Sequence, residues 1–307
     1  MSYVNFHALN VGRGDAFVLE IMTVNETPYI VVVDGGDDLS ENKITPTDFI
    51  NEKKWSQIDL LILTHLHHDH VVGLLRLADE INIKQAVVPY PSCHFNIEEM
   101  TNKIAKQSKE VIELYQQLLY KLENQDTQIQ IRPPFGLQKK WSFGEFTLNH
   151  IYPETGDPLP AFEIIEDIKQ NHMSLHEKNE KLAKFDVVSN SDSSVWMLEN
   201  EDKEQLLLLG GDALLPIWRK LVDRYELSPQ GFKISHHGMK DAMDEVLLKQ
   251  LAPTWALITN QDKEYQMFKD EWIELMEKVD CKLLVTCDDP NTKWITSQLP
   301  KIPIRER

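Results

Sequence analysis

Cysteine is scarce: Cys93, Cys281 and Cys287 are the only three in 307 residues, with no C-x-x-C pair and no paired cysteine–histidine spacing. That argues against cysteine-rich zinc modules and disulfide frameworks, and a reduced, cytoplasmic setting is expected. No apolar run approaches the about 20 residues that a bilayer span needs, so no membrane part is expected. The first residues, Met1 to His7, show no basic segment followed by an apolar core, and no secretory signal is expected. Basic charge is also short. Lys and Arg number 32 against 49 Asp and Glu, for a formal charge of −17. Such a balance argues against sequence-independent binding to long nucleic acid, where phosphate contacts dominate affinity, although a local basic groove can coexist with an acidic body. Internal repeats, low-complexity tracts and Pro/Gly/Ser linkers are absent.

What the chain has is a 42% hydrophobic content, enough for a substantial core, distributed as short apolar runs between turn signals. Residues 1–307 are expected to form one α/β domain, with a helical insertion at about 95–130 and a polar one at about 160–186. Early strands are predicted at Val4–Leu9, Ala16–Met22 and Tyr29–Val33, a helix at Pro46–Lys54, a buried strand at Leu60–Leu63, a helix at Val71–Asp79 and a strand at Gln85–Val88. Apolar residues spaced by three and four from Ile97 to Leu122 predict a long amphipathic helix. Packing on the core is its ordinary role. A lid, or a surface for a protein partner or a second copy, is the alternative, because the stripe widens at Ile112 and Leu119. Later strands are predicted near Val195–Leu198, Leu206–Leu209, Phe232–Ile234, Trp255–Thr259 and Leu283–Thr286, with helices between them.

The most informative segment is His65-Leu66-His67-His68-Asp69-His70, directly after the apolar run Leu60–Thr64. In an extended loop side chains alternate, so His65, His67 and Asp69 would point one way and His70 would reach a second position. Imidazole and carboxylate suit zinc and similar divalent ions. Four such groups in six residues exceed what one ion in an open site takes from one segment, so the pattern reads as half of a two-metal site rather than a polar loop with chance histidines. Three further apolar runs end in ligand-type loops: Val31–Val33 before Asp34-Gly35-Gly36, Leu206–Leu209 before Gly210-Gly211-Asp212, and Phe232–Ile234 before Ser235-His236-His237-Gly238. Sites in sheet proteins gather where strand ends meet loops, so one sheet edge would collect these groups.

The combination resembles the metallo-β-lactamase superfamily. Within it, Leu9-Asn10-Val11-Gly12-Arg13-Gly14-Asp15-Ala16 and Val33-Asp34-Gly35-Gly36 are similar to the hydrolase domain of the DNA-uptake protein ComEC and its free-standing relatives. The resemblance implies a four-layer αββα sandwich with a dimetal site at one edge of two facing sheets. It implies His65 and His67 on a first metal, Asp69, His70 and His237 on a second, and Asp212 bridging both. His236 would contact the substrate or leaving group; the reverse assignment of His236 and His237 is the alternative. Asp34 would orient the histidine loop, and His68 would face away from the metals. Most superfamily hydrolases supply another histidine from mid-chain, where this sequence has Ser189-Asn190-Ser191-Asp192-Ser193-Ser194-Val195. An Asn/Ser-rich segment there fits the ComEC-like subgroup, making Asn190 and Asp192 supporting or substrate contacts and the first metal site the weaker one. His150, His172 and His176 are the nearby lesser candidates. Arg13 and Asp15 fit a structural turn as well as a substrate contact.

Two divalent ions, zinc or manganese, would activate a shared water as hydroxide, with Asp69, Asp212 and His236 as catalytic residues. A dimetal phosphodiesterase acting on nucleic acid or a nucleotide-derived substrate is the leading expectation. An ester, thioester or amide hydrolase, and a weakly active metal-binding regulatory module, are the alternatives.

Overall fold

The computed structural model describes residues 2–24, 27–37, 43–92, 100–169, 173–260, 262–289, 291–300 and 304–306. The chain opens with an antiparallel meander of β1 (Tyr3–Leu9), β2 (Phe17–Met22) and β3 (Tyr29–Val33). Helix α1 (Pro46–Glu52) follows, capped by Thr45, whose hydroxyl accepts from the Asp48 N–H. The short β4 (Gln57–Ile58) leads into β5 (Leu60–Ile62), helix α2 (His68–Glu80), β6 (Asn82–Ile83) and β7 (Gln85–Val88). Helix α3 (Lys103–Asn124) then returns the chain to β8 (Gln128–Ile131). Strands β5, β7 and β8 add in parallel beside β3, so helices must cross over between them.

The second sheet begins with the hairpin β9 (Lys140–Phe143) and β10 (Phe146–Tyr152). Two helices intervene, α4 (Pro160–Lys169) and α5 (Leu175–Val188), before the antiparallel pair β11 (Val195–Glu199) and β12 (Gln205–Leu209). Helix α6 (Leu215–Arg224), β13 (Gly231–Lys233), α7 (Glu245–Leu251), β14 (Trp255–Ile258), α8 (Asp262–Lys278) and β15 (Lys282–Val285) continue it with parallel pairings. The last strands, β16 (Trp294–Leu299) and β17 (Ile304–Glu306), return to the first sheet beside β1. The sheet orders are β17-β16-β1-β2-β3-β5-β7-β8 and β15-β14-β13-β12-β11-β10-β9.

Strand alternation sorts the side chains into layers. Phe6, Phe17, Leu19, Val31 and Leu60 of the first sheet meet Leu148, Trp196, Leu207, Trp255 and Leu284 of the second. The opposite face of the first sheet, through Val18, Val32 and Leu61, packs on residues of α1 to α5. The outer face of the second packs on α6, α7 and α8 through Leu208, Phe232 and Ala256. This is the expected αββα sandwich.

One detail differs from the sequence reading, and two others fill it in. The helix after the histidine motif starts at His68, so Asp69 and His70 sit on its first turn and not in an extended loop. Its N-cap is His67, which makes no side-chain capping bond and so left no capping signal to read. The segment expected as a polar insertion is two helices whose Ala161, Ile164, Ile165, Leu182 and Phe185 join the core under α2 and α3. Ile112 and Leu119 lie in that same core, so the widened stripe of α3 is covered within the chain. The start of the predicted central helix, from Ile97, falls outside the described residues, as does Cys93.

Parallel pairing of β3 with β5 and of β12 with β13 sends the ends of these four strands to one edge of the sandwich. Close backbone approach locks the loops there. A Cβ on Gly14, at φ +102°, would stand 1.9 Å from the Asp69 carbonyl oxygen, and one on Gly73 of α2 would stand 2.0 Å from that of Gly35. The histidine motif is thereby pressed onto the loops carrying Asp15 and Asp34.

Candidate metal centre

Asp34 follows β3 and is fully buried. Its Oδ1 accepts the Thr64 N–H at 2.8 Å, and its Oδ2 accepts the Thr64 hydroxyl at 2.7 Å and His70 Nδ1 at 2.8 Å. A carboxylate on Nδ1 fixes the tautomer and leaves Nε2 as the free lone pair, the usual support for a metal-binding histidine. His70 Nε2 lies 3.4 Å from Asp212 Oδ2. His237 Nε2 lies 3.2 Å from the same oxygen and 3.5 Å from Asp69 Oδ2, while its Nδ1 is held by the Thr259 hydroxyl at 3.2 Å. His65 Nε2 completes the group, 3.8 Å from Asp212 Oδ2. The three Nε2 atoms are buried and have no hydrogen-bond partner. Unsatisfied buried nitrogens turned on one carboxylate oxygen are costly unless a cation completes them, so these residues fit a divalent ion. The nitrogen and oxygen atoms of His65, His70 and Asp212, and those of Asp69, His70 and His237, lie within 4.8 Å of one another.

The charges favour the same reading. Burial works against a charged His237, yet Asp212 and Asp15 outweigh it and raise the imidazole to about 9. His70 is likewise held well above its ordinary value against burial, by Asp212 and Asp34. Burial, with His70 and His67 nearby, holds His65 well below, in the neutral form that binds metals. A field that draws protons to this point also draws a divalent cation.

Other residues of the sequence reading stand differently. His67 Nε2 donates to the backbone carbonyl of Asp186 at the end of α5, 2.9 Å away, and does not join these ligand groups. His68 is half exposed and pairs with Asp37 at 3.4 Å. His236 Nδ1 donates to Asp241 at 2.8 Å and its Nε2 accepts from Asn190 Nδ2 at 3.1 Å, so it lies at the cleft beside the centre. His150 is buried between the sheets against Trp196, and His176 is exposed on α5 beside Glu180. His172 lies outside the described residues. Cys281 and Cys287 pack with the apolar residues around α8.

Asp192 turns away from the centre altogether. It accepts from the Tyr90 hydroxyl at 2.7 Å and from the Ala161 and Phe162 N–H groups, so it caps α4. Burial pushes its carboxyl up from 3.8 to about 6. A raised acid stabilises the fold below its unfolded value and loses that contribution as pH climbs through the folded one. Asp192→Asn, which cannot ionise, is therefore expected to gain on the wild type by roughly 2 to 3 kcal/mol between pH 4 and 7. Urea unfolding across that range measures it, and parallel profiles would refute it.

Two residues of the centre were not anticipated as such. Asp15 is fully buried, accepts from the Thr259 hydroxyl at 2.5 Å and lies 3.3 Å from His237 Nδ1. Lys233, the end of β13, is also fully buried, with its Nζ 2.5 Å from Asp15 Oδ2, 2.9 Å from the Gly211 carbonyl and 3.6 Å from Asp212 Oδ1. The readable signal was a lone charge in the apolar run Phe232–Ile234.

Histidines and aspartates thus converge where strand ends of the αββα sandwich meet. Residues 10–155 match the family model described as the metallo-β-lactamase superfamily. The match spans Asp15, Asp34 and the histidine motif; Asp212 and His237 lie beyond it. Among solved structures, a diphosphatase from the PhnP family aligns with 95% of this chain and 86% of its own, at 8% identity and a TM-score of 0.43. A metallo-β-lactamase with a HARLDQ motif from Cronobacter sakazakii aligns over 86% and 91%, at 15% identity and a TM-score of 0.36. A long-form RNase Z from yeast aligns over 85% and 37%, at 10% identity and a TM-score of 0.43. No curated protein sequence matches the chain. Among the described residues, no helix is long and apolar enough to cross a membrane.

The support Asp34 gives to His70 carries a direct expectation. Asp34→Ala should weaken metal binding by about 10- to 100-fold. Titration against a competing chelator would show this, and unchanged affinity would rule the orienting role out.

Proposed function

We propose that the chain is a cytoplasmic, metal-dependent phosphodiesterase acting on small or nucleotide-derived phosphodiesters, with two zinc or manganese ions as its cofactor. The observation that carries the reading is the convergence of His65, His70 and His237 on Asp212 Oδ2, a set of donors that suits divalent ions. His65, His70, Asp69, Asp212 and His237 would hold the ions, with His67 joining if it releases the Asp186 carbonyl. Bound there, divalent ions lower the pKa of a coordinated water toward neutrality and stabilise charge on the phosphoryl oxygens. Asp69, held by Arg13 Nε at 3.2 Å, would orient the attacking water. As the phosphorus–oxygen bond to the leaving alcohol breaks, that oxygen needs a proton; a doubly protonated His236, its Nδ1 held by Asp241, would give up its Nε2 proton and return to the neutral form whose Nε2 accepts from Asn190. Asn190 supports His236 from the other side. The ComEC-like motif order supports phosphodiester chemistry, and the acidic chain supports a small substrate over long nucleic acid.

The test is metal content by mass spectrometry, followed by turnover of bis(p-nitrophenyl) phosphate and of p-nitrophenyl acyl esters. Metal-dependent phosphodiester turnover is expected. Acyl turnover alone would instead favour the ester-hydrolase reading, and bound metal without any turnover a binding module.

A further inference from the structure

Trp255–Ile258 is a further apolar run that ends on polar residues at this edge, since β14 lies parallel beside β13. The polar pair is Thr259-Asn260, and both side chains are buried. Each holds His237. The turn that carries this histidine is strained: His236 and His237 take φ values of +50° and +52°, in the left-handed region that side chains disfavour. Such a backbone persists only where its surroundings over-determine it. Here Asn260 Nδ2 donates to the His237 carbonyl at 2.8 Å, and Trp272 Nε1 donates to that of Gly238 at 2.8 Å. The backbone is thus fixed from β14 and α8. What remains free in His237 is the turn of its ring and which nitrogen carries the proton.

Thr259 fixes both. A hydroxyl has one proton to give. That of Thr259 goes to Asp15 Oδ1 at 2.5 Å. Asp15, with the Lys233 ammonium 2.5 Å from its other oxygen, is a carboxylate and can only accept. Toward His237 Nδ1, 3.2 Å away, the hydroxyl oxygen is therefore left to accept, so Nδ1 carries a ring proton. Asp15 Oδ1, 3.3 Å from the same nitrogen, reinforces this. Nε2 is left as the atom turned toward Asp69 and Asp212. Asp34 supports His70 with its own carboxylate; on His237 the carboxylate acts through a hydroxyl, and it comes from a loop of the other sheet. On the reading of this centre as a divalent-ion site, we propose that Thr259 and Asp15 are positioning residues for His237, which together aim its Nε2 at the ion. The turn Gly12-Arg13-Gly14-Asp15 thereby serves metal binding from outside the ligand set.

The test is a series at position 259, read by zinc affinity against a competing chelator and by urea unfolding of the metal-free proteins. Thr259→Val keeps the volume and loses the hydroxyl, Thr259→Ala loses both, and Thr259→Ser keeps the hydroxyl. The Val and Ala variants are expected to bind zinc about 10-fold more weakly than the wild type, the lower end of what removing such a support costs, because Asp15 still faces Nδ1. Thr259→Ser should stay within about threefold of the wild type, whatever stability it loses. Affinity that follows size instead, with Val near the wild type and Ser beside Ala, would overturn the proposal. A wild type that binds neither zinc nor manganese would sink the divalent-ion reading and this proposal with it. Zinc bound equally by all four proteins would sink the proposal alone.

Discussion

Asp212→Ala is expected to reduce phosphodiester turnover on the order of 10³-fold and to lower metal content with it. The size follows from position. Asp212 Oδ2 lies within 4 Å of the Nε2 of His65, His70 and His237, and its other oxygen faces Lys233. Removing the carboxylate takes from the three imidazoles their shared counter-charge and leaves Lys233 with Asp15 alone, so a bound ion would lose both a ligand and the negative charge that concentrates it. Asp212 is held well below the usual carboxylate range; burial opposes this, but His237 and His70 outweigh it. Asp212→Asn separates the two contributions, because it keeps the shape and removes the charge. If turnover survives Asp212→Ala within about threefold, the metal-centred reading fails. Circular dichroism on the same variant distinguishes that outcome from misfolding.

Much of this centre was legible because its ligands follow short apolar runs that end at strand termini. Asp34, the histidine motif, Asp212 and the His236-His237 pair each follow such a run, and parallel pairing carries those ends to one edge. Periodicity reads such runs well, since a buried strand has few other forms. What it did not read depends on contacts between distant segments. Strands β8, β9, β10 and β16 went unpredicted; β10 alternates only in part, with Asn149 and His150 interrupting Phe146–Tyr152. Asn190 and Asp192 are two residues apart in one short 3₁₀ turn, yet one side chain meets His236 and the other caps α4. Proximity to a motif could not separate them, because the turn geometry decides which faces the cleft. His67 shows the same limit, since its partner is a carbonyl on α5 that no local pattern announces.

Lys233 is the clearest residue of this kind, and Lys233→Met is expected to destabilise the fold by about 3 to 5 kcal/mol. A lysine with no exposed surface on the end of a central strand keeps its charge at a large desolvation cost unless paired. Here Asp15 Oδ2 at 2.5 Å and the Gly211 carbonyl at 2.9 Å provide that pairing, tying the β1–β2 loop of one sheet to the Gly-Gly-Asp turn of the other. Methionine fills similar volume but strands the Asp15 carboxylate in the interior beside Asp34 and Asp212. Neutralising the stranded partner should then restore much of the loss. The double variant K233M/D15N is expected to be more stable than Lys233→Met alone, with a coupling above about 1 kcal/mol. Urea unfolding of the wild type, both single variants and the double variant reads the cycle directly. Additive losses would mean that Lys233 acts through packing alone, and a Lys233→Met loss under about 1 kcal/mol would mean that Asp15 does not depend on it. Metal titration of the same four proteins then shows whether the lysine, by holding Gly211, also sets the position of Asp212.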